Sequence, residues 1–224
     1  VRRVAKVAIG VGVAAVIGGT AAVVWGPGLY ADWANRAAAD APTLDETGGP
    51  LPDAASLDGV WVVADGSFAG YRVHEVLRGE DVMVTGRTEE VTGSVTLDGG
   101  TITDASVVVD VESIATDEPP RDAYFRGTVM EVGTYPTATF ELTEPATLTA
   151  DETEVELTGD LTIRDVTREA TVMAEVAATD AGAQVVGSVP VTFSDFGVQA
   201  PSLGFVTVDG EGSVEFSLHL EREG

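Results

Sequence analysis

A chain of 224 residues with 12 basic and 37 acidic side chains carries a formal charge of −25. So acidic a surface excludes a nucleic-acid backbone as partner, because gripping phosphates takes a basic face. The absence of cysteine removes disulfides, thiolate chemistry and cysteine-ligated zinc together.

At the start of the chain, Arg2, Arg3 and Lys6 precede 19 uncharged residues, Val7 to Trp25. As a helix this run would be roughly 28 Å long, close to the hydrocarbon thickness of a bilayer. It has no polar face, which argues against a half-buried helix of a soluble domain. Basic residues on its N-terminal side favour an N-terminus in the cytoplasm and a domain outside. A cleavable signal peptide is the rival, but Thr20-Ala21-Ala22 lies inside the run and Ala37-Ala38-Ala39 far beyond it, so neither suits cleavage. Residues 1–25 are therefore predicted to be a transmembrane signal-anchor helix, single-pass in the cell membrane, with Trp25, Tyr30 and Trp33 at the outer interface. Residues 26–57 carry Pro27, Pro42, Pro50, Pro52, Gly48 and Gly49 and read as a flexible linker.

From Asp58 onward the apolar period is two, the mark of half-buried strands. Strands are predicted at Trp61 to Val63, Phe68 to Val76, Val82 to Thr85, Val91 to Leu97 and Thr101 to Ile114. The segment Asp117 to Val132 breaks the pattern. Pro119-Pro120 suits a helix start, and Tyr124, Phe125, Val129 and Met130 recur at about one helical turn. Strands resume at Thr137 to Leu142, Glu154 to Ile163, Val166 to Ala178, Ala183 to Phe193, Phe205 to Val208 and Ser213 to Leu220. Around Arg164-Asp165 the chain reverses. So many strands with one short helix imply a mainly β, closed antiparallel barrel over residues 58–224, since closure removes exposed edges. Gly93, Gly159, Ala174 and Gly187, read as inner positions, would leave space in it. Tyr71, Val95, Val109, Tyr124, Phe125, Val129, Phe140, Leu161, Phe193 and Phe216 are the candidate lining and lid residues, and plain core packing accounts for their pattern equally well. Arg121 and Asp122 either anchor the lid helix to the rim or meet a ligand headgroup.

Ser113-Ile-Ala-Thr116, Arg121-Asp122, Tyr135-Pro136-Thr-Ala-Thr-Phe140, Gly159-Asp-Leu-Thr-Ile163, Val166-Thr-Arg168 and Asp195-Phe-Gly197 follow one another in the order seen in YceI-like proteins. Over Asp58 to Leu220 the chain resembles that family. Tyr124 stands where the family often has His, Asp165 where glycine is common, and Gly70-Tyr-Arg-Val73 replaces a His-Ser motif. Gly66-Ser-Phe-Ala-Gly-Tyr-Arg72 and Gly86-Arg-Thr88, with a single lysine against 11 arginines, look like an actinobacterial branch. The resemblance implies a lipocalin-like barrel whose apolar tunnel takes a polyisoprenoid, quinone or other long-chain lipid.

No catalytic set stands out. His74 and His219 have no paired or HExxH spacing, Gly66 to Gly70 is not a nucleophile elbow, and Glu152, Glu154, Glu156 and Asp160 alternate as a solvated strand face does. The prediction is a membrane-anchored lipid carrier outside the cytoplasm, with no enzyme activity, cofactor or metal. The alternative is a cell-envelope scaffold or interaction protein with a solidly packed barrel.

Overall fold

The structure is a computed structural model that describes residues 26, 28–45, 48–49, 51, 54–149 and 153–224. The predicted anchor, residues 1–25, lies outside the described residues. No described helix is long and apolar enough to cross a membrane.

Eleven strands form one antiparallel sheet: β1 (Gly59–Val63), β2 (Phe68–Leu77), β3 (Glu80–Thr88), β4 (Val91–Asp98), β5 (Thr101–Asp110), β6 (Thr137–Leu142), β7 (Ala146–Thr147), β8 (Glu154–Ile163), β9 (Val166–Ala178), β10 (Ala183–Thr192) and β11 (Val206–Arg222). The path β1-β4-β5-β6-β8-β9-β10-β11 returns to β1 through Trp61↔Arg222 and Val63↔Leu220. An eight-stranded barrel is thereby closed. β2 pairs with β11 from Val206 to Ser217, and β3 pairs with β2, so two strands extend the wall beyond the closed ring. The outer edge of β3 meets no further strand among the described residues, apart from the bridge Arg87↔Ala115.

Two-residue hairpins set the register. Arg78-Gly79, Gly99-Gly100 and Arg164-Asp165 all have positive φ at both positions, the turn geometry that matches strand twist. The predicted reversal at Arg164-Asp165 is one of them. Two boundaries differ from the sequence reading. The stretches predicted at Phe205 to Val208 and Ser213 to Leu220 form one long strand, β11, which starts at Val206 and is joined across a bulge between Val208 and Gly212. Gly212 permits this, because a Cβ there would lie 2.7 Å from the Arg72 carbonyl oxygen. β5 ends at Asp110 rather than Ile114, since Val111 donates to the Pro136 carbonyl and Val111 and Ile114 turn inward to bury.

The helical interruption is α2 (Pro119–Tyr124), continued by one wider turn over Phe125–Val129. It caps the barrel end to which β2 and β3 extend. The linker reading needs correction. Residues 28–37 form a helix, α1, whose Ala31 and Ala34 bury against Val73, Val82 and Val84. The Asn35 amide then bonds both the Asp81 carbonyl and the Met83 N–H, at 3.0 and 2.7 Å, and so occupies the free edge of β3 as another strand would. Beyond α1 the chain crosses the outside of the wall. Arg72 reaches the Ala39 carbonyl at 2.7 Å, Arg87 that of Asp40, and Gln184 accepts the Asp45 N–H at 2.8 Å. Gly49 pairs with Ala178, and Leu51 and Leu57 join the core at the far end. The described residues between 28 and 57 strap the barrel from one end to the other.

Candidate functional site

Inside the barrel are two apolar cavities of about 160 and 180 Å³. A single water needs roughly 10–15 Å³, so neither is a packing fault. They share Ala69, Val109, Ala138, Ile163 and Val214 as wall and therefore lie end to end along the axis. The inner cavity has Val95, Val109, Phe140, Leu161 and Phe216 among its lining. Leu51, Leu57 and Trp61 line it as well, and the Trp61 indole is satisfied by the Leu57 carbonyl at 2.7 Å. The outer cavity is lined by Tyr71, Val109, Phe193 and, from the lid, Arg121, Tyr124, Phe125 and Val129. All ten apolar and aromatic candidates border one cavity or the other, although Tyr124 is also 38% exposed to solvent. Asp122 lines neither cavity.

The lumen stays open because of how the large rings are seated. A Cβ on Gly187 would stand 2.5 Å from Phe216 Cζ, one on Gly86 2.5 Å from the Tyr71 ring, one on Gly159 2.5 Å from Phe140 Cζ and one on Gly212 2.8 Å from Phe193 Cζ. Each ring therefore lies down over a glycine of the neighbouring strand instead of pointing to the axis. This refines the reading that Gly159 and Gly187 leave space at inner positions. The space over them is filled by rings, and the room gained is at the axis. Gly93 has another role, since a Cβ there would strike the Ser106 carbonyl of β5. Val95, Val107, Val109, Phe140 and Phe216 remain only half-buried despite facing inward, as side chains bordering empty space do.

At the mouth the chemistry changes. Arg121 of α2 bonds Asp117 at 2.8 Å and reaches the buried Glu75 of β2 at 3.4 Å. Burial opposes the Arg121 charge, but Glu75 and Asp117 outweigh it and hold its pKa above the usual value. Asp122 is buried and accepts the Thr116 N–H at 2.9 Å and the Thr116 hydroxyl at 2.7 Å. It ties α2 to the preceding loop and holds no position facing the lumen. Tyr71 stacks on Phe125 with ring centroids 5.0 Å apart. Burial chiefly, with Asp122 and Glu75 against an opposing Arg121, pushes its phenol far above the ordinary range. The Tyr71 phenol therefore stays neutral. Among the described residues no group of three His, Asp or Glu is placed to hold a metal ion.

Sequence reasoning missed Glu75, Leu51, Leu57 and the rim formed by Val198, Ala200 and Pro201. Glu75 had a signal: it falls in the same alternation as Tyr71 and Val73, so it is a carboxylate on the inner face. Leu51 and Leu57 had none, because they follow a Pro- and Gly-rich stretch with no period.

Residues 62–220 match the YceI-like domain. A UPF0312 protein of Pseudomonas paraeruginosa is 31% identical over 150 residues, 62% of this chain and 72% of its own. Among solved structures, Burkholderia cenocepacia BcnA is similar with a TM-score of 0.54 and 24% identity, covering 66% of this chain and 94% of its own. A polyisoprenoid binding domain from Saccharophagus degradans, implicated in plant cell wall breakdown, gives 0.56 at 17% identity over 74% of this chain and 99% of its own.

Proposed function

The chain belongs to the YceI-like family, and we propose that its barrel binds one long-chain apolar lipid of the polyisoprenoid or quinone type. The observation that carries this is the pair of end-to-end apolar cavities, which a packed scaffold would not keep. Burying the chain supplies the affinity, at about 0.8 kcal/mol for each enclosed methylene. The Saccharophagus degradans domain, a polyisoprenoid binder by description, is consistent with that ligand class. We assign the protein no catalytic role; it sequesters or carries the lipid.

The mouth favours a ligand with an uncharged head. Arg121 already faces two carboxylates, Glu75 and Asp117, and the whole chain carries −25, so a pyrophosphate would meet little free positive charge. Tyr71 offers a neutral donor to a hydroxyl or carbonyl oxygen instead. Residues 1–25 would anchor the protein in the cell membrane with the barrel on the extracytoplasmic side, beside a lipid supply. Anchor and orientation rest on the uncharged run and the basic residues before it.

Native mass spectrometry of the full chain in detergent, after incubation with a polyprenol, a quinone and a polyprenyl pyrophosphate, tests the reading. One-to-one binding of the uncharged lipids supports it. Absence of binding by all three leaves the packed or interaction scaffold as the better account.

A further inference from the structure

The end of the barrel that opens into the outer cavity carries an unusual surface. In a chain so rich in acids, the 13 residues from Phe196 to Val208 hold no charge at all. They are not a slack loop. Leu203 N–H donates to the Val206 carbonyl at 2.9 Å, Val208 N–H to that of Pro201 at 3.0 Å, and Ser202 bridges Thr207. The result is a tight hairpin with Gly204 at φ +79°. It projects Leu203 and Phe205 into solvent, 49% and 54% exposed. Its base, Val198, Ala200 and Pro201, is wall of the outer cavity.

α1 adds to the same rim. The β2–β3 turn links the two, for Arg78 N–H bonds the Phe205 carbonyl at 2.8 Å. On the other side of that turn, a Cβ on Gly28 would lie 3.6 Å from Glu80 Oε1. Leu29 and Trp33, four residues apart and so on one helical face, are 69% and 46% exposed, while Ala31 and Ala34 on the opposite face hold the helix to the barrel. Four large apolar side chains are thus exposed on either side of the β2–β3 turn, two of them on a hairpin whose base is wall of the outer cavity. Scattered singly they would mean nothing; clustered at a rim they mark an interaction surface.

We propose that this rim is a bilayer-docking surface, with Leu203, Phe205, Leu29 and Trp33 entering the interface so that the lumen opens directly onto lipid. The occupant follows from the chain itself. Leu29 stands four residues after Trp25, the last residue of the predicted anchor, and so within about 14 Å of it along the chain. Ala31, Ala34 and Asn35 fix α1 to β2 and β3, so an anchor entering at α1 would turn this rim toward the membrane. A Trp and aromatic-aliphatic hairpin suit the headgroup level. The strong negative charge favours a zwitterionic surface over an anionic one. The inference rests on the lipid-binding and anchor readings, and concerns which way the barrel faces.

Because the chain has no cysteine, single labels are clean. Leu203→Cys and Asp180→Cys, the latter in the turn at the other end of β10, about 30 Å away, each receive a small fluorophore. The full chain is then mixed with phosphatidylcholine vesicles carrying a spin-label quencher in the acyl region, and flotation is read alongside. Several-fold stronger quenching at residue 203 than at residue 180 is the expected result. A chain that floats with equal or no quenching at the two sites keeps the anchor and overturns the docking. A chain that does not float yet is quenched at residue 203 keeps the docking and discards the anchor. Loss of both signals, with light scattering showing a dimer, would assign the rim to a second copy and overturn the proposal.

Discussion

Gly187→Ala is the sharpest test of the seated-ring lumen. Phe216 and Gly187 are directly opposite across β10 and β11, and the added methyl would meet Phe216 Cζ at 2.5 Å, where ordinary contact begins at 3.4 Å. No backbone atom is among the nearest neighbours of that methyl, so the ring yields, by roughly 1 Å or one rotamer step, toward the axis. The folded state loses about 0.5–1.5 kcal/mol for the strained ring. Binding loses more. A ring displaced into the inner cavity excludes two to four methylenes of ligand, about 1.6–3.2 kcal/mol, which is a loss of roughly 15–200-fold in affinity.

Titration of a polyprenol against wild type, Gly187→Ala and the double variant Gly187→Ala with Phe216→Ala, each with a melting curve, separates the terms. The double variant removes the ring and should recover binding. Gly159→Ala is the contrast, because its methyl would strike the Glu141 carbonyl as well as the Phe140 ring, and it should unfold the domain more readily than it blocks uptake. Unchanged affinity in Gly187→Ala, or no recovery in the double variant, refutes the idea that rings laid over glycines keep the lumen open.

Arg121→Ala should lower stability by about 1–3 kcal/mol, below the full cost of breaking a buried pair because the bond to Glu75 is long and the guanidinium partly wet; a melt should show it, polyprenol and pyrophosphate affinities should fall alike, and Glu75→Gln should restore much of the loss. Arg72 bonds the buried Glu215 at 2.6 Å and the Ala39 carbonyl, so Arg72→Met should cost about 2–4 kcal/mol and release amide-exchange protection across residues 38–45. His74 bonds Asp209 at 2.9 Å and Asp81 at 3.1 Å, and the Asp209 bond first, with burial opposing and Asp81 adding, raises its pKa. Its contribution is therefore present below the ordinary histidine value of 6.5 and lost as pH rises through the raised one. The exposed site keeps it under about 1 kcal/mol, and the melting difference between wild type and His74→Gln should shrink as pH rises.

The barrel was legible because its signal is local and repeated. Strand alternation at Leu157, Leu161 and Ile163, and at Val214, Phe216, Leu218 and Leu220, assigns the inner face residue by residue, and the lining follows from the face. What alternation does not encode is where a ring goes once it points inward. Phe216 and Phe140 read equally as axis-filling core or as wall, and the choice is made by a glycine on another strand, 29 positions away for Phe216. Asp209-Gly210-Glu211 gives the signal of a turn yet lies within β11 as its bulge, because the ladder to β2 on both sides of it, from Val206 to Val208 and from Gly212 to Ser217, outweighs three locally turn-favouring residues.

The strap escaped for a different reason, and its consequence reaches furthest. Its own composition is that of a linker, and nothing in residues 38–45 asks to be buried. The demand comes from the wall. Arg72 and Arg87 stand beside Glu215 on the outside of the barrel, and Gln184 is 2% exposed with its amide donating to the Ser217 hydroxyl at 3.1 Å. Their remaining donors and acceptors would be costly if covered and unpaired. Backbone groups of Ala39, Asp40 and Asp45 pair with Arg72, Arg87 and Gln184 in turn, although the Arg87 Nε stays buried without a partner. A floppy tether would leave the barrel free to tumble above a membrane, and lipid would have to cross water to enter it. A strap that is bonded at β3, β2 and β10 and paired with β9 removes that freedom. The same contacts that hide in a linker-like sequence would convert an anchor near α1 into a fixed orientation of the mouth, which is why loosening them with Arg72→Met should slow lipid uptake from vesicles more than it weakens binding of lipid delivered in detergent.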